Sequence, residues 1–442
     1  MTTMEAITAL EAARRKQGSR GVLVDLVNSN FRTAGLVFPE RWYSKAWNAW
    51  RSAPHYLPQG RGSEQTRAAV AAFLTEDGLL TEPEQVILTA GSSISYELIF
   101  RMLGMRHRDA PTHDGTHTPT IALPRPGYPL FEDLVHAAGL APLWYDLSPV
   151  HNFSPDPAVI EDVLKARPSA LVLISPNNPT GTVYSESTLR ATLQRCARTG
   201  TALICDEVFG AYRPEGTVLP RPAMAERSIA PRGSADARNS GADARSSGAT
   251  PAPVPAPTVF FLNGLSKLCA APEIKLGWIA VHGDRDRVAA VTEYLDTAHD
   301  AYLTVSGYAE AAGTVFLAPD AEKDRNALAR QVATMRDRLD THLNKLSAVI
   351  SDESAGALTV GGIHRVIRID ANRCAQCFGT VDDDEVARRL VLDHGIYLHP
   401  GYLYGLDHDT TGTIDPFFIM TCLNRPEIID EGISRLRRAL RL

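Results

Sequence analysis

Cysteine is scarce in this chain: six residues in 442, scattered between Cys196 and Cys422. That spacing in a long chain does not suit a disulfide framework. Cys374 and Cys377 form a lone CxxC with no second ligand pair nearby at zinc spacing, so no metal site is read there. Positive charge is not in excess either. The 45 Lys and Arg residues face 51 Asp and Glu, for a net charge of −6, which argues against a nucleic-acid-binding role because phosphate affinity needs clustered cations. No uninterrupted apolar run reaches the ~20 residues of a membrane span. The opening MTTMEAITALEAARRKQGSR is polar and reads as a helix, not a signal peptide. These absences predict a cytoplasmic protein with neither nucleic acid nor membrane as partner.

What is present is a series of short apolar runs that end in chemically rich residues. QVILT (85–89) runs into AGSS, TIAL (120–123) into PRPGYP, ALVLI (170–174) into SPNNPTG, ALIC (202–205) into DE, and VFFL (259–262) into NGLSK. Continuous β-branched and apolar runs suggest strands buried on both faces, as in a mostly parallel sheet. Helical patterns lie between them. Residues 62–78 end at a glycine, 156–167 open on an Asp cap, and 185–200 open on a Ser cap and stop at Gly200. The alternation predicts an α/β core from about 60 to 285, with ligands gathering beyond the carboxyl ends of its strands. Residues 319–350 read as one long amphipathic helix. Beyond it, IHRVIRI (363–369), a helix at 383–395, a strand IYLHP (396–400) and a last helix near 426–441 predict a smaller α+β lobe. The expected division is an N-terminal arm that forms part of the small lobe (1–45), a large cofactor-binding domain (46–300) and a small C-terminal domain (301–442).

Two stretches look inserted. Residues 214–258 are rich in Pro, Ala, Ser, Gly and Arg and contain a near repeat, SADARNSG then GADARSSG. Such a composition buries too little apolar surface to offset ordering entropy, so the stretch reads as a disordered surface loop. HRDAPTHDGTHTP (107–119) carries His107, His113 and His117 at a spacing that fits no helix or strand face, and reads as a solvated loop rather than a metal site.

Several residues at the strand ends carry potential chemistry. Lys267, in SKLCAAPEIKLGW, can be desolvated and so pushed toward its nucleophilic neutral form; a surface lysine is the plain alternative. Asp206, in CDEVFGAY, is a buried carboxylate that needs a cationic or hydrogen-bonding partner, unless it merely caps a helix. SPNNPTG offers amides in a tight turn, which is also what an ordinary turn contains. Gly91, Ser92 and Ser93 sit where a strand meets a helix, giving either a phosphate seat or a simple N-cap. Tyr128, in PRPGYP, is placed either to stack on a ring or to fill the core.

Taken together and in this order, SPNNPTG, CDEVF and LSK resemble the fold type I pyridoxal-phosphate enzymes, specifically the class I/II aminotransferases. The resemblance runs from about Asp25 to the C-terminus. It implies a mostly parallel mixed sheet flanked by helices, pyridoxal 5′-phosphate as cofactor, and transfer of an amino group between an amino acid and a 2-oxo acid. It further implies that Lys267 forms the Schiff base and moves the proton, that Asp206 pairs with the pyridine nitrogen, and that Asn178 bonds the ring oxygen. Tyr128 would stack on the ring. Gly91, Ser92, Ser93 and Ser266 would hold the phosphate, with Lys275 at the position of another phosphate ligand. Tyr56, in HYLPQG, matches a tyrosine that reaches the phosphate of a neighbouring subunit, which implies a homodimer. Asn28 and Asn30, in DLVNSNF, match a substrate-facing loop.

The chain departs from the resembled pattern at three places. Phe209 stands where a tyrosine is usual, and Lys275 where an arginine is usual; lysine keeps the charge and loses the bidentate fork. In DPFFIMTC (415–422), Phe418 lies near the place of an arginine that clamps the substrate carboxylate. Arg365 and Arg368 are candidate replacements. Three apart on a strand, they face opposite sides, and Arg368 is taken as the substrate-binding candidate. The departures leave room for a lyase, cyclase or oxidase using the same cofactor, or a non-catalytic protein on the same fold, since fold alone does not fix reaction.

Overall fold

The structure, a computed structural model, describes residues 3–21, 23–53, 58–108, 118–221, 256–352, 360–407 and 411–442. In chain order its strands are β1 (Val24–Asp25), β2 (Val86–Thr89), β3 (Thr120–Arg125), β4 (Ala141–Asp146), β5 (Ala170–Ile174), β6 (Ala202–Asp206), β7 (Val259–Gly264), β8 (Gly277–His282), β9 (Ile350–Asp352), β10 (His364–Ile369), β11 (Ile396–Tyr397), β12 (His399–Pro400) and β13 (Phe417–Thr421).

A seven-stranded sheet in the order β2-β8-β7-β6-β5-β3-β4 forms the centre of the large lobe. β3 to β7 run parallel, while β8 is antiparallel to both β7 and β2. β5 and β7 are buried at every position, which is why their sequences show continuous apolar runs rather than alternation. Separate apolar clusters cover the two faces of this sheet. The intervening helices start and stop where their caps dictate. Asp156 accepts the Ala158 N–H ahead of helix Pro157–Lys165. Ser185 accepts the Thr188 N–H ahead of helix Glu186–Thr199, which ends on a left-handed Gly200.

The smaller lobe holds an antiparallel sheet, β12-β13-β10-β9, and a two-stranded parallel pair, β1-β11. The chain at 396–400 therefore makes two short strands in two sheets, where the apolar pattern predicts one; Leu398 is the switch between them. The long helix is Glu322–Asn344, preceded by a tight turn at Pro319–Ala321, so it is shorter at both ends than the amphipathic pattern suggests. Leu10, Val24, Leu26 and Phe31 from the N-terminal segment share a core with the C-terminal strands and helices. Helix Gly307–Phe316 does not belong to that core. Its Ala309, Ala312, Val315 and Phe316 pack with Trp42 and Ala46 in the apolar cluster that also covers one face of the large sheet.

The composition-based insertion also begins later than expected. Leu219 and Arg221 are buried, because Arg221 reaches inward to Glu207 at 2.6 Å and also pairs with Asp77. Residues 222–255 of that stretch lie outside the described residues, as do His113, His117 and Tyr56. Among the described residues, no helix is long and apolar enough to cross a membrane.

Candidate active site

Parallel register delivers the chemistry to one edge of the large sheet. Ile174 at the end of β5 pairs with Asp206 at the end of β6, and Asp206 pairs with Leu262 of β7. The segments that follow these strands carry Asn178 and Lys267. On the other side of β7, Gly264 pairs with Gly277 of β8, and Thr89 of β2 pairs with Gly277 as well. Gly91, two residues past β2, thus joins the same edge, and Tyr128 follows β3 on the far side of β5.

Lys267 lies in a single helical turn, Leu265–Leu268, entered through the Leu265 N–H bond to the Leu276 carbonyl (2.9 Å). Its Nζ is 5.4 Å from the centre of the Phe31 ring and 5.7 Å from that of Phe209. Burial holds its pKa below the ordinary lysine value, which raises the share of nucleophilic amine. The Tyr212 hydroxyl donates to the Lys267 carbonyl oxygen and so pins the backbone of this turn. Phe31 and Tyr212 stack at 5.9 Å.

Asp206 takes the Val208 N–H at 2.9 Å and the Tyr96 hydroxyl hydrogen at 2.8 Å. Burial outweighs these donors and pushes the carboxyl up to about 6. A carboxylate so placed gains most from a cation. Asn177 is consumed by its own turn, accepting from Thr180 N–H (3.2 Å) and Thr180 Oγ1 (2.9 Å). Asn178 is different: its Oδ1 is buried with no hydrogen-bond partner.

Helix Ser92–Arg108 begins directly after Gly91. The Ile94 and Ser95 N–H groups bond the Gly91 carbonyl, both at 3.1 Å, while those of Ser92 and Ser93 have no carbonyl within the helix to receive them and carry the positive end of the helix dipole. Gly91 has φ +129°, and a Cβ built on it would meet nothing within 4 Å, so the space over this turn is open. Below it the packing is closed, since a Cβ on Gly277 would come within 2.9 Å of the Gly91 Cα. Lys275 lies two residues before Gly277, exposed and in the left-handed region at φ +57°. Ser266 adjoins Lys267 and is partly buried. Tyr128 is partly buried and meets the Phe131 ring edge-on at 5.5 Å; the neighbouring Gly127 N–H bonds the Tyr404 carbonyl at 3.0 Å.

The polar substrate-side candidates all hold partners within the chain. Asn28 donates to Thr33 at 2.5 Å and to the Leu423 carbonyl at 3.4 Å and accepts from the Asn30 N–H, and Asn30 accepts from the Arg32 N–H. The residue of this loop that reaches Lys267 is Phe31. Arg368 is held by Asp415 at 2.9 Å, and Arg365 is buried against Asp340 at 2.7 Å. Phe418 does not face the site. It is buried in the small-lobe core with Ile367 and Met420, because the strand alternation turns Phe417, Ile419 and Thr421 the other way.

Four site residues were not singled out in the sequence: Tyr96, Phe31, Tyr212 and His364. His364 meets the Phe209 ring edge-on at 5.9 Å, and is pushed down to about 3 by burial, then by Lys267, His399 and Arg365.

Comparison with known proteins matches this arrangement. The family described as aminotransferase class I and II fits residues 48–414. The chain belongs to that family. Among its relatives, nicotianamine aminotransferase B of Hordeum vulgare is 28% identical over 250 residues, covering 55% of this chain and 38% of that protein. The chain thus matches less than half the length of that relative. Tyrosine aminotransferase of Dictyostelium discoideum is 22% identical over 355 residues, 79% of this chain and 74% of that protein. The solved structure of an alanine aminotransferase from Pyrococcus furiosus superposes with a TM-score of 0.77 at 20% identity, covering 99% and 97% of the two chains. The fold is therefore the fold type I aminotransferase fold.

Proposed function

We propose that this protein is a pyridoxal-phosphate-dependent aminotransferase that moves an amino group between an amino acid and a 2-oxo acid. The observation that carries the reading is the side-by-side delivery of Lys267, Asp206 and Asn178 by three adjacent strands. The residues fit the cofactor in kind. An open first helical turn suits a phosphate, and a carboxyl starved of counter-charge suits a pyridinium. When bound, the cofactor supplies an electrophilic carbonyl and an electron-accepting ring.

The protein's own groups divide the remaining work. Ser92, Ser93 and Ser266 present donors to the phosphate, with Lys275 adding charge. Asp206 holds the ring nitrogen protonated. Asn178 donates to the ring oxygen, and Tyr128 covers a ring face. Lys267, kept partly neutral by burial, provides the attacking amine and then carries the proton to and from the substrate α-carbon. Phe31 and Phe209 wall this amine from water. The large lobe, built around residues 38–316, carries the cofactor, and the arm with the C-terminal segment forms the small lobe. The resemblance at Tyr56 supports a homodimer in which each copy completes its neighbour's phosphate seat. Family membership favours transfer over elimination, cyclisation, oxidation or a non-catalytic role.

The test is product analysis. Protein supplied with cofactor is mixed with an amino acid labelled with ¹⁵N and a second 2-oxo acid. Label appearing in the new amino acid is expected. Free ammonia without transfer would overturn the reading. Lys267→Ala is expected to abolish both the visible absorbance of the loaded protein and transfer, and survival of either would move the role to another lysine.

A further inference from the structure

The small-lobe sheet carries two histidines, His364 and His399, and His364 approaches Lys267 through the Phe209 ring. In the strip β12-β13-β10, His399 pairs with Ile419, and His364 pairs with Thr421. Directly paired residues project to the same side of a sheet, as do residues two apart on one strand. His364, Val366, Ile419, Thr421 and His399 therefore share a face. Val366 and Ile419 pack in the large-lobe core, whereas Ile367, Phe418 and Met420 on the reverse close the small-lobe core. The histidine face is the one turned to the site. His364 contacts Phe209 edge-on, and Phe209 in turn adjoins the Lys267 amine. His399 Nδ1 lies 3.0 Å from the Tyr404 hydroxyl, and the Tyr404 carbonyl anchors the loop of Tyr128.

The arginines of these strands are committed to carboxylates: Arg365, on the reverse side, to Asp340, and Arg368, at the far end of the face, to Asp415. Among the described residues, the His364 ring has no hydrogen-bond partner. An amino acid brought out of water beside Lys267 needs donors for its carboxylate. We propose that His364 and His399 bind the substrate carboxylate through imidazole N–H donors, an assignment that rests on the aminotransferase reading. His399 Nδ1 and the Tyr404 hydroxyl share a hydrogen bond at 3.0 Å; in the tautomer in which Nδ1 accepts, the imidazole proton is on Nε2 and available as a donor. A neutral imidazole supplies one donor, so the two rings together serve the two carboxylate oxygens.

The test compares hydrocinnamate with its primary amide by calorimetric titration into cofactor-loaded protein; the phenyl group suits the Phe31 and Phe209 walls. The native protein is expected to favour the carboxylate. His364→Phe and His399→Phe are each expected to weaken carboxylate binding about tenfold or more while leaving amide binding within about twofold. His364→Gln keeps an N–H donor and is expected to retain carboxylate affinity to within about threefold. Unchanged visible absorbance across the variants shows that each remains folded and loaded. Carboxylate affinity unaltered by both Phe substitutions, or no carboxylate preference in the native protein, would overturn the assignment while the aminotransferase reading stands. Failure of the native protein to load cofactor at Lys267 would overturn both.

Discussion

The Tyr96 hydroxyl donates to Oδ2 of Asp206 at 2.8 Å. This joins the helix that offers the phosphate seat to the carboxylate that faces the ring nitrogen. Tyr96 is itself buried and locked by ring contacts to Phe100 and Phe131, so the donor cannot swing away. Tyr96→Phe is expected to weaken cofactor binding about tenfold, the worth of one hydrogen bond to a charged group. Because Asp206 would then rise further above its present value of about 6, the loss should be larger at pH 6 than at pH 8. Cofactor titration followed by absorbance at both pH values checks this, and an equal loss at the two would argue against it.

Asp206 also sets a pH dependence for the cofactor-free protein. Its carboxyl is raised from 3.8 to about 6, chiefly by burial. Between those values the folded state binds more protons than the unfolded state. Stability therefore falls as pH rises through this window and stays reduced above it. Asp206→Asn removes the penalty and is expected to stabilise the cofactor-free protein by roughly 2–3 kcal/mol at pH 7, with the gain vanishing near pH 4. The same variant should lose most of its cofactor affinity. Thermal unfolding from pH 4 to 7 gives the measurement.

Arg221 and Glu207 form an ion pair with side chains only 3% and 2% exposed. Arg221→Met leaves Glu207 buried without its cation and is expected to cost about 3–5 kcal/mol. Adding Glu207→Gln should restore much of that. Urea unfolding of the single and double variants separates a lost charge partner from lost packing.

Phe209 presents no hydroxyl to the site, although its ring adjoins Lys267. Phe209→Tyr is expected to supply a donor to the cofactor's ring oxygen and to lower by about one unit the pH at which the loaded protein's visible absorbance titrates. An unmoved titration would mean that the new hydroxyl does not reach the ring.

The parts of the site that could be read from the sequence are those set by local chain geometry. Lys267, Asp206 and Asn178 follow apolar strands directly, and Ser92 and Ser93 open a helix. Tyr96 could not be found this way, because its role depends on a helix crossing behind another strand; its only signal was an aromatic on the inner face of helix Ser92–Arg108. Phe31 carries no polar signal beside two asparagines whose side chains bond Thr33, Leu423 and the loop backbone. The histidines escaped for another reason. Which face of β10 and β12 meets the large lobe is fixed by pairing to β13, and a one-residue change of register would reverse it. At Arg221, a composition rich in Pro and Arg masked one buried arginine with two acidic partners.

The contact between Gly277 and Gly91 has a consequence for how this protein can diverge. A side chain at 277 would press on the Gly91 Cα, and that glycine opens the turn facing the phosphate. No single amino-acid replacement at 277 is neutral by itself, because each would shift the anion seat before any compensating change had arisen. Drift among descendants of this chain is therefore expected to run through the wall residues of the small lobe, where substrate choice can change, while this pair of glycines stays fixed.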